Sequence, residues 1–192
     1  MDTVIEPEAL RSGLDPDPRP VAIEGDRLAA VLVPLIMPAG GPPSIVFTER
    51  RADLSRHGGE VSFPGGLPDP GDRGLAHTAL REAQEELGIP QDAVEVLGGL
   101  EPVHTHVSRI LVVPFVGVLR ERPELVPSPG EIEAVFEFGL EELLEREAVQ
   151  EWERGGERFI THVWEMDGAT IWGATGRMLH TFLHLVRTGA QP

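Results

Sequence analysis

Cysteine, lysine, tyrosine and asparagine are all missing from the 192 residues. Without cysteine there are no disulfides, no thiolate nucleophile and no cysteine-ligated zinc. Without lysine there is no Schiff base and no Walker-type phosphate lysine, and without tyrosine no phenolic nucleophile. Positive charge is scarce: all 16 basic residues are arginine, against 32 acids, for a formal net charge of −16. That balance argues against a broad grip on nucleic-acid backbone. It allows a small anionic substrate, provided that metal and local arginines neutralise it. Long apolar runs are missing too. The strongest, Leu28 to Met37, is too short to span a bilayer, and no basic-then-apolar leader opens the chain. The expectation is no membrane partner and a cytoplasmic location. Chemistry is left to carboxylates, histidine, serine, threonine or a bound metal.

A chain of 192 residues suits one well-buried domain, taken as 1–192. Residues 1–24 are rich in Pro and Asp and read as a short helix followed by an extended arm, able to cover a sheet edge. Strands are expected at 28–37 and 44–49, neighbours across the turn at 38–43, with Pro34 predicting an edge position or a bulge in the first. Further strands are expected at 94–100 and 110–119, the latter nearly all apolar and therefore central. A strand at 131–138 leads to a short helix at 139–147, and a hairpin at 150–166 turns at Gly155-Gly156. The last helix, 176–187, carries an apolar stripe of Met178, Leu179, Phe182, Leu185 and Val186 that reads as core. Strands outnumber helices, which gives an α/β class with a mixed sheet packed by helices on its two faces. His104 and His106 share a side of a strand, but no third nitrogen ligand has a spacing that completes a zinc site. They read as substrate-facing or surface histidines.

The organising stretch is Phe63 to Ile89, FPGGLPDPGDRGLAHTALREAQEELGI, a Gly/Pro-rich loop that runs into an acidic helix. At 100° per residue, Glu82, Glu85 and Glu86 project within roughly 100° of one another, with Ala76, Leu80, Ala83 and Leu87 opposite. Three carboxylates so placed repel one another and call for a cation. Oxygen donors suit a hard divalent ion such as Mg²⁺, whose remaining positions water and substrate phosphate can fill. A solvated charged face is the plain alternative, but it does not account for the preceding Gly65-Gly66 turn or for Arg81 placed four residues before Glu85.

This stretch resembles the Nudix box, G-x5-E-x7-R-E-U-x-E-E-x-G-U with U aliphatic, through Gly66, Arg81, Glu82, Ala83, Glu85, Glu86, Gly88 and Ile89. Two departures stand out. The first acid is Asp72, not Glu, and eight residues rather than seven separate it from Arg81. The resemblance implies a Nudix-type α/β/α sandwich with the box as loop-helix-loop, and hydrolysis of a diphosphate linkage with Mg²⁺ or Mn²⁺. Glu82 and Glu86, 40° apart on the helix, are the expected metal ligands, with the Gly66 carbonyl joining them as the family pattern implies. Glu85 either completes a two-ion site or takes the proton of the attacking water, a role for which Glu131 and Glu133 also stand as candidates. Arg81 is expected to orient the carboxylates.

Upstream, ERRADLSRHGGEVSFPGG at 49–66 gathers Arg50, Arg51, Arg56 and His57 in an otherwise acidic chain. It is similar to the segment R-[SA]-x-x-L-[RS]-x-H-x-G-[EQ]-[VI]-[SA]-F-P-G-G of the coenzyme A diphosphatase branch, through Arg51-Ala52, Leu54-Ser55, His57 and Gly59 to Gly66. IWGATGRML at 171–179 resembles that branch's I-W-G-x-T-x-x-x-L. The branch implies coenzyme A or a derivative as substrate, split into 3′,5′-ADP and 4′-phosphopantetheine, with Arg51, Arg56, His57, Gly65 and Gly66 as substrate-binding candidates. A Nudix hydrolase of ADP-ribose or a dinucleotide, and a binding module of the same fold without turnover, are the competing expectations.

Overall fold

Arg27–Ile36 form a strand whose apolar side chains are buried on both faces, and the rest of the molecule is layered about it. The structure is a computed structural model that describes residues 6–52, 59–105, 109–154 and 156–192. In chain order the elements are α1 (Pro7–Ser12), β1 (Arg27–Ile36), β2 (Ser44–Arg50), β3 (Val61–Ser62), β4 (Gly65–Gly66) and α2 (Leu75–Leu87). A 3₁₀ turn at Gln91–Ala93 leads to β5 (Glu95–Gly99), β6 (Val103–Thr105), β7 (Ile110–Leu119), β8 (Ile132–Gly139) and α3 (Leu140–Glu145). Last come β9 (Ala148–Arg154), β10 (Glu157–Met166), β11 (Ala169–Ile171) and α4 (Gly173–Thr188).

β1 pairs with β7 in parallel along its whole length, from Arg27↔Ile110 to Ile36↔Leu119. Its other edge meets β4 at Ala30 and Val31, and β2 at Leu35 and Ile36, both antiparallel. β8 extends the sheet beyond β2, β3 pairs with the end of β2 on the edge it shares with β1, and β5 and β6 share the far edge of β7. The result is a mixed sheet, with the 110–119 strand inside it as its composition predicts. The edge position or bulge predicted by Pro34 is not what forms: Pro34 lies in the central strand, opposite Gly117. The amide of Leu32 donates to the Pro64 carbonyl at 2.9 Å on the β4 side, and strand alternation turns the nitrogen of residue 34 the same way. The missing N–H thus falls in the gap where β1 changes partner from β4 to β2, and costs no ladder bond.

The two faces of the sheet are sorted by residue parity. Ala30 and Leu32 of β1, with Val113 and Phe115 of β7, pack on Ala79 and Ala83 of α2. Ala29, Val33 and Leu35, with Val112, Val116 and Val118, face the opposite core, where Met178, Leu179, Phe182 and Leu183 of α4 lie. Helices therefore cover both faces, the expected α/β/α layering. After α1, Asp15 and Gly99 exchange both backbone hydrogen bonds at the β5 edge. The 148–166 hairpin forms a second sheet with β11, and Trp164 in it is fully buried with its indole N–H on the Leu143 carbonyl at 2.8 Å. Among the described residues no helix is long and apolar enough to cross a membrane.

Ala79 and Ala83 are fully buried and let α2 lie close to the sheet. Ala83→Leu should cost about 1–3 kcal/mol by overpacking that seam, read as a lower urea midpoint at unchanged slope; an unchanged midpoint would mean that the seam has slack.

Candidate active site

α2 presents its carboxylates at graded depth. Measured around the helix from Ala83, at the centre of the packed face, Glu86, Glu82 and Glu85 lie at about 60°, 100° and 160°. Their side chains are 3%, 16% and 59% exposed respectively. The simple picture of one packing face and an opposite acidic face is thereby corrected: Glu86 points into the sheet side of the helix, and Glu85 is the most exposed of the three.

The buried acid is held by backbone and by an arginine. The Gly65 amide donates to Glu86 Oε2 at 3.2 Å, and Arg50 Nη1 lies 3.3 Å from Oε1. Burial pushes the Glu86 carboxyl up to about 7, against Arg50 and the Gly65 amide, with Glu82 and Glu131 adding to the rise. Burial also raises Glu82, against the neighbouring Arg81. Both carboxylates are thus short of positive charge. The two glycines of β4 are needed for this approach. A Cβ on Gly65 would meet the Val31 Cα at 2.6 Å, and one on Gly66 would fall inside the Glu82 carboxylate.

Arg81 is a hub. Its Nε and Nη2 donate to the two oxygens of Asp72 at 3.0 and 3.2 Å, and Nη1 reaches Glu85 at 2.9 Å and Glu82 at 3.0 Å. Nη2 also donates to the Leu67 carbonyl at 3.1 Å. Asp72 accepts further from the Asp69 amide, Thr78 Oγ1 and His77 Nδ1. Arg81 first and the Asp69 amide next hold its carboxyl well below the ordinary carboxylate range, with burial opposing them. The acid whose role the spacing left open therefore ties the loop to the first turns of α2 and aims Arg81.

At the other end of α2, Gly88 adopts the left-handed conformation at φ 72° and closes the helix, as its position predicts. The carbonyls of Glu86 and Leu87 take the amides of Ser128 and Val126, each at 2.8 Å. That capping carries the chain to Glu131, whose Oε2 lies 3.6 Å from Arg50 Nη2. Of the two acids proposed outside the box, Glu131 joins the cluster, while Glu133 sits exposed on β8. The sequence shows Arg50 only as part of the basic stretch, and its placement at the end of β2 beside Glu86 depends on strand register. Arg51 directs Nη1 to the Pro129 carbonyl at 3.4 Å. Arg56 and His57, together with His106, lie outside the described residues. His104 stands on β6 with Nδ1 3.5 Å from Asp26.

A family model described as NUDIX domain matches residues 26–160. An uncharacterised Nudix hydrolase called NudL, from Pectobacterium atrosepticum, is 40% identical over 169 residues, 87% of this chain and 85% of its own length. Among solved structures, a MutT/nudix family protein from Enterococcus faecalis aligns with a TM-score of 0.55 at 15% identity, over 88% of this chain and 66% of that one. The NUDIX domain of Shewanella oneidensis NrtR, complexed with ADP ribose, aligns with a TM-score of 0.50 at 18% identity, over 67% of this chain and 82% of its own. The two structural likenesses bear on the fold alone.

A carboxyl held lower in the folded chain than its ordinary value of 3.8 contributes stability above that pH and loses it as pH falls through and below it. Asp72→Asn should therefore lower stability at neutral pH and flatten the acid limb between about pH 5 and 2. Thermal melts of the two proteins across that range check it, and parallel acid limbs would remove Asp72 from the account.

Proposed function

The chain belongs to the Nudix hydrolase family, and from that premise we propose that it hydrolyses the diphosphate linkage of coenzyme A or a derivative of it, giving 3′,5′-ADP and 4′-phosphopantetheine. In the reaction a water oxygen bonds to one phosphorus, the bridging P–O bond breaks, and the bridging oxygen leaves with the other phosphate. The observation that carries the reaction class is the pair Glu82 and Glu86, a half-buried and a buried carboxylate whose pKa values burial raises, beside a glycine backbone with no room for a side chain. Such a pair fits a hard divalent cation, Mg²⁺ or Mn²⁺, better than it fits an apoprotein. Glu82 and Glu86 would hold the ion, with Glu85 as a further oxygen donor at the rim and Gly66 offering its backbone. When bound, the ion supplies charge neutralisation on phosphate oxygens and acidification of water. Arg81 orients Glu82 and Glu85 and has no substrate role in this reading. Glu85 and Glu131 are the acids of the cluster exposed enough to take the water's proton.

The substrate rests on sequence resemblance: the segment from Arg51 to Gly66 and the IWGATGRML run. Arg51, Arg56 and His57 are assigned to its phosphate groups, guanidinium forks matching phosphate oxygens, and Gly65-Gly66 to the floor of the site. Residues 1–192 are read as one domain with 1–24 as its arm.

Glu86→Gln should lower kcat/KM by at least about 100-fold, the scale on which one preorganised electrostatic group acts. It should leave the thermal midpoint near that of the parent, because the amide resembles the protonated acid that burial already favours. Retained turnover would remove Glu86 from the metal site. In a separate comparison, coenzyme A, ADP-ribose and NADH are incubated with the protein and Mg²⁺, Mn²⁺ or chelator, and the products separated by chromatography. Metal-dependent release of 3′,5′-ADP, fastest from coenzyme A, is the expected result. Faster cleavage of ADP-ribose would keep the chemistry and replace the substrate, and no cleavage with any ion would leave a binding module.

A further inference from the structure

A second cluster of metal-binding side chains lies on elements that carry no residue of the box. Glu147, between α3 and β9, faces His162 of β10 and His180 of α4. The two imidazoles point at one oxygen, with His162 Nδ1 2.9 Å and His180 Nδ1 2.6 Å from Glu147 Oε1. Their rings lie face to face, centroids 3.7 Å apart and planes 18° from parallel. Local sequence explains the meeting. A Cβ on Gly176 would lie 2.6 Å from the His162 carbonyl oxygen, so only glycine lets α4 approach β10 this closely, and His180 follows one turn later. The other oxygen of Glu147 takes Arg187 Nη1 at 2.7 Å, and Arg187 Nη2 donates to the Leu144 carbonyl at 2.8 Å. Arg187 therefore fixes the carboxylate from behind and leaves Oε1 as its single outward donor. All three side chains are partly exposed, so an ion in solution can reach them.

We propose that Glu147, His162 and His180 form a binding site for a borderline divalent transition-metal ion of the zinc class, held through Oε1 and the two Nδ1 atoms with water completing the shell. The three donor atoms lie within 4.8 Å of one another, and rotation of the two rings out of their stacked arrangement would aim both Nδ1 lone pairs at one ion. Two imidazole nitrogens and one carboxylate oxygen suit Zn²⁺ or Co²⁺ and disfavour Mg²⁺, which takes oxygen. On binding, each neutral histidine moves its ring proton from Nδ1 to Nε2, and the shared hydrogen bonds to Oε1 give way to bonds to the ion. Second-shell support is already in place in the Arg187 pair. The ion would join the α3–β9 connection, β10 and α4, so its effect is on stability and not on the diphosphate chemistry.

The test uses the tag-free full chain with the box site removed by Glu82→Gln and Glu86→Gln, titrated with Co²⁺ and followed by its visible d–d bands. The expected result is one equivalent of intense, low-symmetry absorption, displaced by Zn²⁺ and lost in His162→Asn and in His180→Asn. In the otherwise unaltered chain, Zn²⁺ should raise the thermal midpoint, and His180→Asn should cancel that rise while leaving metal-activated hydrolysis unchanged. Should either variant fail to fold, imidazole ¹⁵N spectra of the unaltered chain decide, because Zn²⁺ must shift the Nδ1 resonances of both histidines. Absorption that persists in both variants, or Nδ1 resonances that stay in place, would overturn the site.

Discussion

A carboxylate buried against a glycine backbone is the constraint on which this molecule depends. Glu86 is almost fully covered, and its surroundings supply one amide and one arginine, too little to keep the charged form comfortable at neutral pH. A buried acid of this kind lowers stability unless something positive arrives. Much of the surrounding architecture accommodates it. β4 is two glycines because nothing larger fits between β1 and the acids, Arg50 ends β2 at a bulge where it can reach Glu86, and the loop that caps α2 brings Glu131 over the same point. On the proposed reading, the stability withheld at this position would become affinity for a cation.

Keeping such a helix in register requires a rigid partner, and the pair Asp72 and Arg81 provides it. A carboxylate stabilised by a bidentate guanidinium and a backbone amide can stay charged beside other acids. Arg81 then spends its remaining donors on Glu82 and Glu85. Although the first acid is Asp and the loop is one residue longer than the box pattern, the contact forms, because the Asp69 amide folds the loop back onto Asp72 and the Leu67 carbonyl accepts from Arg81. A departure in spacing is therefore absorbed by loop path, which spacing alone does not reveal.

Most of the fold was legible because parity and period are local signals. The run at 110–119 had to be internal, and Ala76, Leu80, Ala83 and Leu87 had to pack. What escaped depended on pairing. Pro34 argued for an edge by its own chemistry, but whether a missing N–H costs a bond depends on which neighbour lies beside it, and β1 happens to change neighbours there. The two-residue strands β3 and β4 carry no periodic pattern at all. A helical wheel puts Glu86 in an outward acidic trio because it gives direction and says nothing of how far the sheet wraps around. Arg50 and the triad of Glu147, His162 and His180 were hidden for the same reason: their members are distant in the chain, and only the packing of α4 on β10 brings the last two together.

The scarcity of positive charge gives these observations a common logic. Around the box, Arg81 is engaged with Asp72, Glu82 and Glu85, Arg50 with Glu86 and Glu131, and Arg51 reaches the Pro129 carbonyl. Arg81 and Arg50 already balance protein acids, so they cannot also neutralise a diphosphate without releasing a carboxylate into a crowded site. In a chain with no lysine and twice as many acids as bases, the proposed reaction would draw its positive charge at the phosphates from a divalent ion held by the very acids that repel the substrate. Such an ion would turn the acidic wall from a barrier into a binding surface and so reconcile an acidic protein with the anionic substrate proposed for it.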